Sequence, residues 1–100
     1  MNHVVLSGKI VRDIDVRKTA SGDPVVNFQL SVRRPGTRDI DDYIDCVAYD
    51  ATAKNIGERF SVNDWVVVDG FITTHTMKKE AGKVRYTEVK VNSIEASAAE

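Results

Sequence analysis

The sequence predicts an all-β protein with one short helix, and two observations support this. Apolar and polar residues alternate with a period of two along successive stretches, and clusters of Gly, Pro, Asn and Asp separate those stretches. Only residues 51–60 have the three-to-four-residue spacing of an amphipathic helix. At 100 residues and 42% hydrophobic content, the chain suits one compact domain.

The first two strands precede an arginine-rich loop. The first begins at Val4 and is predicted to bend or bulge at Gly8 before running on toward Val16. The second strand turns every other residue to the core: Val26, Phe28, Leu30 and Val32. Its outer face is polar.

The third strand, residues 43–49, is the main candidate for a binding surface. Ile44, Cys46 and Ala48 face the core, which leaves Tyr43 and Tyr49 on the outer face with Asp45 and Val47. Six residues span roughly 20 Å at about 3.3 Å per residue, which is room for several stacked bases. The structural alternative is that each tyrosine is a β-forming residue that leans on a neighbour.

A helix and two long strands complete the chain. Asp50 is predicted to cap a helix over Ala51–Phe60. The fourth strand, residues 65–77, directs Val66, Val68, Gly70 and Ile72 inward. Its outward residues Val67 and Phe71 are apolar, which predicts a subunit interface. The fifth strand, residues 84–94, buries Val89 and Val91.

Five strands with one short helix between strands 3 and 4 give the order of an OB-fold, a partly open five-stranded barrel whose outer face and loops bind oligonucleotides or oligosaccharides. We expect the barrel to cover residues 1–95 and residues 96–100 to form a short disordered end.

The net charge of −1 conceals an uneven distribution. Residues 1–38 carry seven basic and three acidic residues, residues 39–70 carry two and eight, and residues 71–100 carry five and four. Local potential attracts phosphates, so basic loops remain candidates for phosphate contacts despite the total. The candidates in the two loops are Arg33, Arg34, Arg38, Lys78, Lys79 and Lys83.

Several classes of function are disfavoured. The single cysteine, Cys46, and two histidines have no zinc-site spacing, and the acidic loop lacks the glycine and glutamate of a calcium-binding EF-hand. No nucleophile–base pair or phosphate loop is visible, so we expect no enzyme, metal or cofactor. No apolar run reaches the roughly 20 residues that cross a bilayer, so we expect no membrane partner.

Several motifs together resemble the bacterial single-stranded DNA-binding protein family over about residues 1–94. They are residues 6–13, residues 19–22 with 26–28, residues 43–49, Asn55-Ile56 and residues 66–70. The resemblance implies a non-enzymatic OB-fold subunit of a homotetramer that coats single-stranded DNA in replication, recombination and repair. It also implies a cytoplasmic, nucleoid-associated location.

The resemblance places base-stacking residues at Tyr43, Tyr49 and Met77, and near Gly36. Only the first two are aromatic, although Met77 can contact a base through its thioether. Asp45 lies between the tyrosines, where it repels phosphate. The sequence ends without the acidic, Phe-ending tip of the family, so we expect no partner recruitment through such a tip. An OB-fold interaction module like those of primosomes, which binds DNA only secondarily, is the alternative function.

Overall fold

A computed structural model describes residues 1–99 and contains six strands and one helix. The elements are β1 (Val4–Ile10), β2 (Asp15–Lys18), β3 (Pro24–Arg33), β4 (Asp41–Tyr49), α1 (Asp50–Arg59), β5 (Trp65–Lys79) and β6 (Gly82–Ala96). The predicted first strand is therefore two strands, since β1 ends at Ile10 and β2 starts at Asp15.

Five of the strands close into a ring, which confirms the OB-fold. Antiparallel pairs join β5 to β1 and to β6, and β3 to β1 and to β4, and a short parallel pair between β4 and β6 completes the circuit. The helix lies between the third and fourth strands of this ring, β4 and β5. β2 is an additional strand that pairs with β3 outside the ring.

The core fills the ring as the alternation predicts. Val26, Phe28 and Leu30 of β3 are buried, and so are Val89 and Val91 of β6. The remaining buried core members come from the other ring strands and the helix: Ile10, Cys46, Ala48, Ala53, Ile56, Phe60, Val66, Val68 and Ile94. Asn27, Gln29, Ser31 and Arg33 give the outer face of β3 its predicted polar character.

Two glycines allow strands to approach each other closely. A Cβ atom at Gly70 would lie 2.0 Å from the Lys90 carbonyl oxygen, and one at Gly8 would lie 2.4 Å from the Ser31 carbonyl oxygen. The predicted bulge at Gly8 is wrong, because Gly8 pairs regularly with Val66. The irregularity in register lies at Asp69/Gly70 of β5 instead.

The helix begins differently from the prediction. Tyr49 is the N-cap residue, Asp50 is the first helical residue with φ of 55°, and no side chain caps the helix. Ala53, Ile56 and the C-cap residue Phe60 enter the core. Tertiary packing against β3, β4 and β6 therefore holds α1 in place.

The exposure of four side chains differs from what alternation alone predicts. Ile72 is 45% exposed because β5 leaves the barrel there and continues into a long hairpin with β6. Val47, assigned to the outer face, is only 3% exposed, between Asn27 of β3 and Lys90 of β6 in register. Val67 and Phe71 are half-buried within the single chain, where full exposure was expected.

The end of the chain follows β6. The Ser97 amide donates to the Trp65 carbonyl oxygen at 2.8 Å, which ties the residue after β6 to the start of β5. Of the expected disordered end, Glu100 lies outside the described residues. Within residues 1–99, no helix has the length and apolarity needed to span a membrane.

Candidate nucleic-acid interface

The hairpin formed by the outer parts of β5 and β6 has two chemically different faces. Residues paired in an antiparallel ladder share a face, so Met77 with Val84 and His75 with Tyr86 form one side. Lys78 with Lys83, and Thr76 with Arg85, form the other side. Two of the predicted phosphate contacts, Lys78 and Lys83, thus lie on a basic face opposite Met77.

The aromatic side of the hairpin lines a groove of about 310 Å³, here called the hairpin groove. Its other walls are the segment after β1, with Arg12 and Asp13, and the middle of β3 and β4, with Asn27 and Asp45. In an OB-fold, ligands bind over ring strands 2 and 3, between the loop after strand 1 and the loop after strand 4. β3 and β4 are these strands, so the hairpin groove occupies the ligand position of the fold.

An aromatic cluster stands in this groove. The rings of His75 and Tyr86 stack with centroids 5.3 Å apart and an interplanar angle of 25°, and Lys79 Nζ lies 5.3 Å from the centre of the Tyr86 ring. His75 Nδ1 is also 3.5 Å from Glu88 Oε1. Met77, 49% exposed, lies beside them. Together these side chains form a flat, partly cationic surface suited to stacking.

A second depression, the apolar opening, adjoins the groove. It has a volume of about 320 Å³, and the ring strands supply its apolar wall: Val4, Leu6, Ile44, Ile72 and Val89. Asp45, Thr87 and Glu88 line both the opening and the hairpin groove. Tyr43, which is 62% exposed, stands at its rim.

Tyr43 also lines a third depression, the Trp65 groove, with a volume of about 380 Å³. Lys9, Ser31, Arg33, Asp41 and Trp65 are among its other lining residues. The apolar opening therefore shares lining residues with each of the two grooves, Asp45 with the hairpin groove and Tyr43 with the Trp65 groove. A continuous surface path leads from Met77 and Tyr86 past these two residues to Trp65.

Tyr49 lies off this path. Lys90 Nζ is 5.1 Å from the centre of the Tyr49 ring and 5.6 Å from the centre of the Phe71 ring. A predicted stacking residue and a predicted interface residue are thus joined through one lysine. Tyr49 remains 39% exposed, but Lys90 covers one side of its ring.

The arginines of the loop between β3 and β4 have acidic partners. Arg33 Nε pairs with Asp41 Oδ1, and Arg34 makes a bidentate pair with Asp42 at 2.6 and 3.1 Å. Hydrogen bonding to Arg34 lowers the pKa of Asp42, and the same pair raises the pKa of Arg34. A phosphate that approaches these arginines must therefore compete with carboxylates. Arg38 is exposed in the loop, and its carbonyl oxygen accepts a bond from Arg33.

The two grooves differ in charge. The hairpin groove is lined by one arginine and four carboxylates, a net charge of −3 with His75 neutral. The Trp65 groove is lined by Lys9, Arg33 and Asp41, a net charge of +1. Asp45, one of the four carboxylates, accepts a hydrogen bond from Gln29 Nε2 at 3.2 Å.

Two further kinds of reactive group matter for the chemistry of the site, the Cys46 thiol and any cluster of metal-ligating side chains. Burial raises the pKa of the Cys46 thiol to about 12, which keeps it protonated and unreactive at neutral pH. Among residues 1–99, no three His, Cys, Asp or Glu side chains are grouped as metal ligands.

Sequence reasoning missed three aromatic side chains on the path: His75, Tyr86 and Trp65. Tyr86 lies three residues before Val89 and falls on the outer face of the predicted last strand, where alternation gave it no role. Its stacking with His75 depends on the hairpin register, with Lys79 paired to Gly82 at the turn. Trp65 was assigned only as the start of a strand.

A five-stranded ring with one helix between its third and fourth strands and a groove over β3 and β4 has the architecture of the OB-fold class, whose members bind oligonucleotides or oligosaccharides. The chain matches the Single-strand binding protein family over residues 1–97. It belongs to that family.

The names of curated relatives match this family assignment. The chain is 38% identical over 101 residues to a "Single-stranded DNA-binding protein" of Oceanobacillus iheyensis, with 95% of this chain and 62% of the relative covered. It is 36% identical to one of Halalkalibacterium halodurans (95% and 60% covered) and 35% identical to one of Clostridium perfringens (95% and 65%). The chain thus spans about three fifths of the length of these relatives.

Proposed function

We propose that this protein binds single-stranded DNA without sequence preference and without enzymatic activity, and that it coats strands exposed in replication, recombination and repair. The observation that carries the proposal is the stacked His75–Tyr86 pair beside Met77 in the ligand groove of the OB-fold. Every base has a π-face, so stacking on such a surface tolerates any sequence. The family membership and the names of the relatives support the same function.

Phosphates are contacted by the basic loops in this proposal. Lys78 and Lys83 share the basic face of the hairpin, opposite Met77, and Lys79 lies against Tyr86 on the groove side. Arg33 and Arg34 take part only by exchanging Asp41 and Asp42 for phosphate, and Arg38 lies in the same loop.

The test is fluorescence anisotropy of labelled oligo-dT of increasing length, with a duplex of equal length as the control. We expect saturable binding with a defined site size and much weaker binding to the duplex. Asp45→Asn removes a carboxylate from the groove and is expected to tighten binding, because a carboxylate beside a phosphodiester raises the electrostatic cost. Equal binding to duplex and single strand would contradict the proposal.

The second candidate function is an interaction module that bridges replication proteins and binds DNA only secondarily. The acidic lining of the hairpin groove favours it, since four carboxylates repel a polyanion. Failure of the protein to bind oligo-dT at low salt would make this function the better one.

We further propose a homo-oligomer, a tetramer, in which a second subunit covers the half-buried Val67 and Phe71. Removal of apolar area from water contributes about 25 cal/mol per Å² to such an association. Light scattering at micromolar concentration tests it, with Phe71→Lys expected to shift the mass downward. A monomer mass for the unaltered protein would overturn the oligomer.

A further inference from the structure

We propose that Asn2 is a positioning residue for DNA binding: its side-chain amide fixes the root of the β5–β6 hairpin at Ile72 and thereby holds the stacked His75–Tyr86 pair at the groove. The inference rests on the proposed function and assigns to it a residue that lies outside all three depressions. The contacts that carry it join two residues seventy positions apart in the sequence.

The Asn2 side chain extends the pairing of β1 with β5 by one step. Regular pairing of these strands ends where Val4 meets Gly70. Asn2 then bonds both backbone groups of Ile72. Its Oδ1 accepts from the Ile72 amide at 2.9 Å, and its Nδ2 donates to the Ile72 carbonyl oxygen at 2.7 Å. The side-chain amide thus takes the place of a backbone on a partner strand, because it supplies one acceptor and one donor.

Ile72 is the residue at which β5 leaves the barrel. Its side chain lines the apolar opening, and the hairpin begins directly after it. Within residues 1–99, strand pairing beyond this point joins β5 and β6 to each other alone, as residues 73–79 with residues 82–88. The direction of the hairpin is therefore set at its root, since no third strand holds it along its length.

The irregularity in register of β5 lies just before this root. β5 shifts register against β6 between Asp69 and Gly70, and such a shift bends the strand that follows it. The segment before β1 contacts β5 on both sides of the shift. His3 Nε2 is 3.0 Å from Asp69 Oδ1, and Asn2 bonds Ile72. These contacts bridge the bend and fix its angle.

The angle of the hairpin sets the width of the hairpin groove. His75 and Tyr86 belong to the hairpin wall, whereas Arg12 and Asp13 belong to a wall formed by the segment after β1. The three residues from Ile72 to His75 span about 10 Å, so a rotation of about 10° at the root moves His75 by about 2 Å. Stacking attraction falls steeply over such a distance, so a loosened root weakens base stacking.

The competing role for Asn2 is to stabilise the barrel alone. Two exposed hydrogen bonds contribute modestly to stability, and with this role a folded variant binds DNA as the unaltered protein does. The two roles differ in whether loss of the amide reaches DNA through the Tyr86 ring.

The first measurement is a double-mutant cycle, by anisotropy of labelled oligo-dT at low salt, where weak variants remain measurable. Asn2→Ala should weaken binding about 3- to 10-fold. In a Tyr86→Leu background the same change should weaken it less than about 2-fold, because the ring whose position Asn2 controls is gone. The matched control is Asn92→Ala, at an exposed position of β6 outside all three depressions, which should leave affinity unchanged.

The second measurement is hydrogen exchange of the Ile72 amide, which donates directly to Asn2. Asn2→Ala should speed its exchange by about tenfold or more, because the amide loses its acceptor. The amide of Leu30, a fully buried residue of β3, should exchange at the same rate in both proteins.

Three results would overturn the inference and spare the proposed function. They are an unchanged Ile72 exchange rate in Asn2→Ala, a faster rate with unaltered affinity for oligo-dT, and equal losses of affinity with and without the Tyr86 ring. Absence of binding by the unaltered protein would instead remove the proposed function, and this inference with it.

Discussion

Lys90 holds its Nζ atom 5.1 Å from the centre of the Tyr49 ring, and Tyr49 lines none of the three depressions. The same ammonium group lies 5.6 Å from the Phe71 ring. One lysine of β6 therefore connects β4 to β5 across the outer surface of the barrel.

Replacement of Lys90 by methionine should lower the free energy of unfolding by about 0.5–1 kcal/mol, because it keeps an apolar side chain but removes the cation from two rings. Urea unfolding followed by circular dichroism measures this difference. Lys54→Met on the exposed side of α1 is the control and should change stability less. Equal losses in the two variants would mean that the ring contacts contribute nothing.

The two tyrosines of β4 should contribute unequally to DNA binding. Tyr43 is 62% exposed on the path, so Tyr43→Ala should weaken oligo-dT binding by about 1–3 kcal/mol. Tyr49→Ala should weaken it less, because Tyr49 lines none of the three depressions. Anisotropy titrations compare the variants, with Tyr43→Phe as the control that retains a stacking ring. A larger loss at Tyr49 would place the DNA over the Lys90 surface.

Asp42→Asn should tighten DNA binding and add up to about 0.7 to the salt slope, because it frees Arg34 for phosphate. Pairing lowers the pKa of Asp42, so the pair is complete at neutral pH and is lost only as pH falls through that lowered pKa. The double variant Arg34→Gln, Asp42→Asn serves as the control and should have no added slope. Unchanged binding by Asp42→Asn would show that Arg34 makes no phosphate contact.

The basic face of the hairpin should account for part of the salt dependence of DNA affinity. The double variant Lys78→Gln, Lys83→Gln should lower the log–log slope by about 1.4, at about 0.7 per lost contact, with little effect on base preference. Titrations of oligo-dT and oligo-dC at several salt concentrations measure both quantities. If the slope stays the same, DNA does not reach this face of the hairpin.

Cys46 should resist thiol reagents in the folded protein. Its pKa is raised to about 12 by burial, so at about pH 8 almost no thiolate is present. The unfolded thiol ionises near its ordinary pKa, so this cysteine disfavours folding increasingly as pH rises above that value. Reaction with a chromogenic disulfide should be slow in native buffer and fast in urea. Rapid native reaction would indicate frequent opening of the β4 region.

Alternation in the sequence predicts the ring strands well because a half-buried strand must keep one apolar face. It fails at Val47, which neighbouring strands cover on the outer face, and at Ile72, where β5 leaves the core. Both failures have the same cause: burial depends on neighbouring strands, which the pattern within one strand does not contain.

The candidate site was predicted only in part, and the reason is related: several of its contacts depend on how neighbouring strands pair. Tyr43 and Met77 follow from the family motifs, whereas the contacts of His75 with Tyr86 and of Lys9 with Trp65 depend on cross-strand register. The pairing of Arg34 with Asp42 likewise requires the return path of the loop between β3 and β4.

The closed ring also fixes when the barrel can form during synthesis. β1 finds most of its partners in β5, where Val4 pairs with Gly70 and Gly8 with Val66. At about 5–20 residues per second, the ribosome needs about 3–12 s to add the sixty residues from Val11 to Gly70. Through that interval the inner face of β1 lacks its principal neighbour. The nascent chain therefore exposes an apolar strand to chaperones and to other nascent chains until β5 emerges.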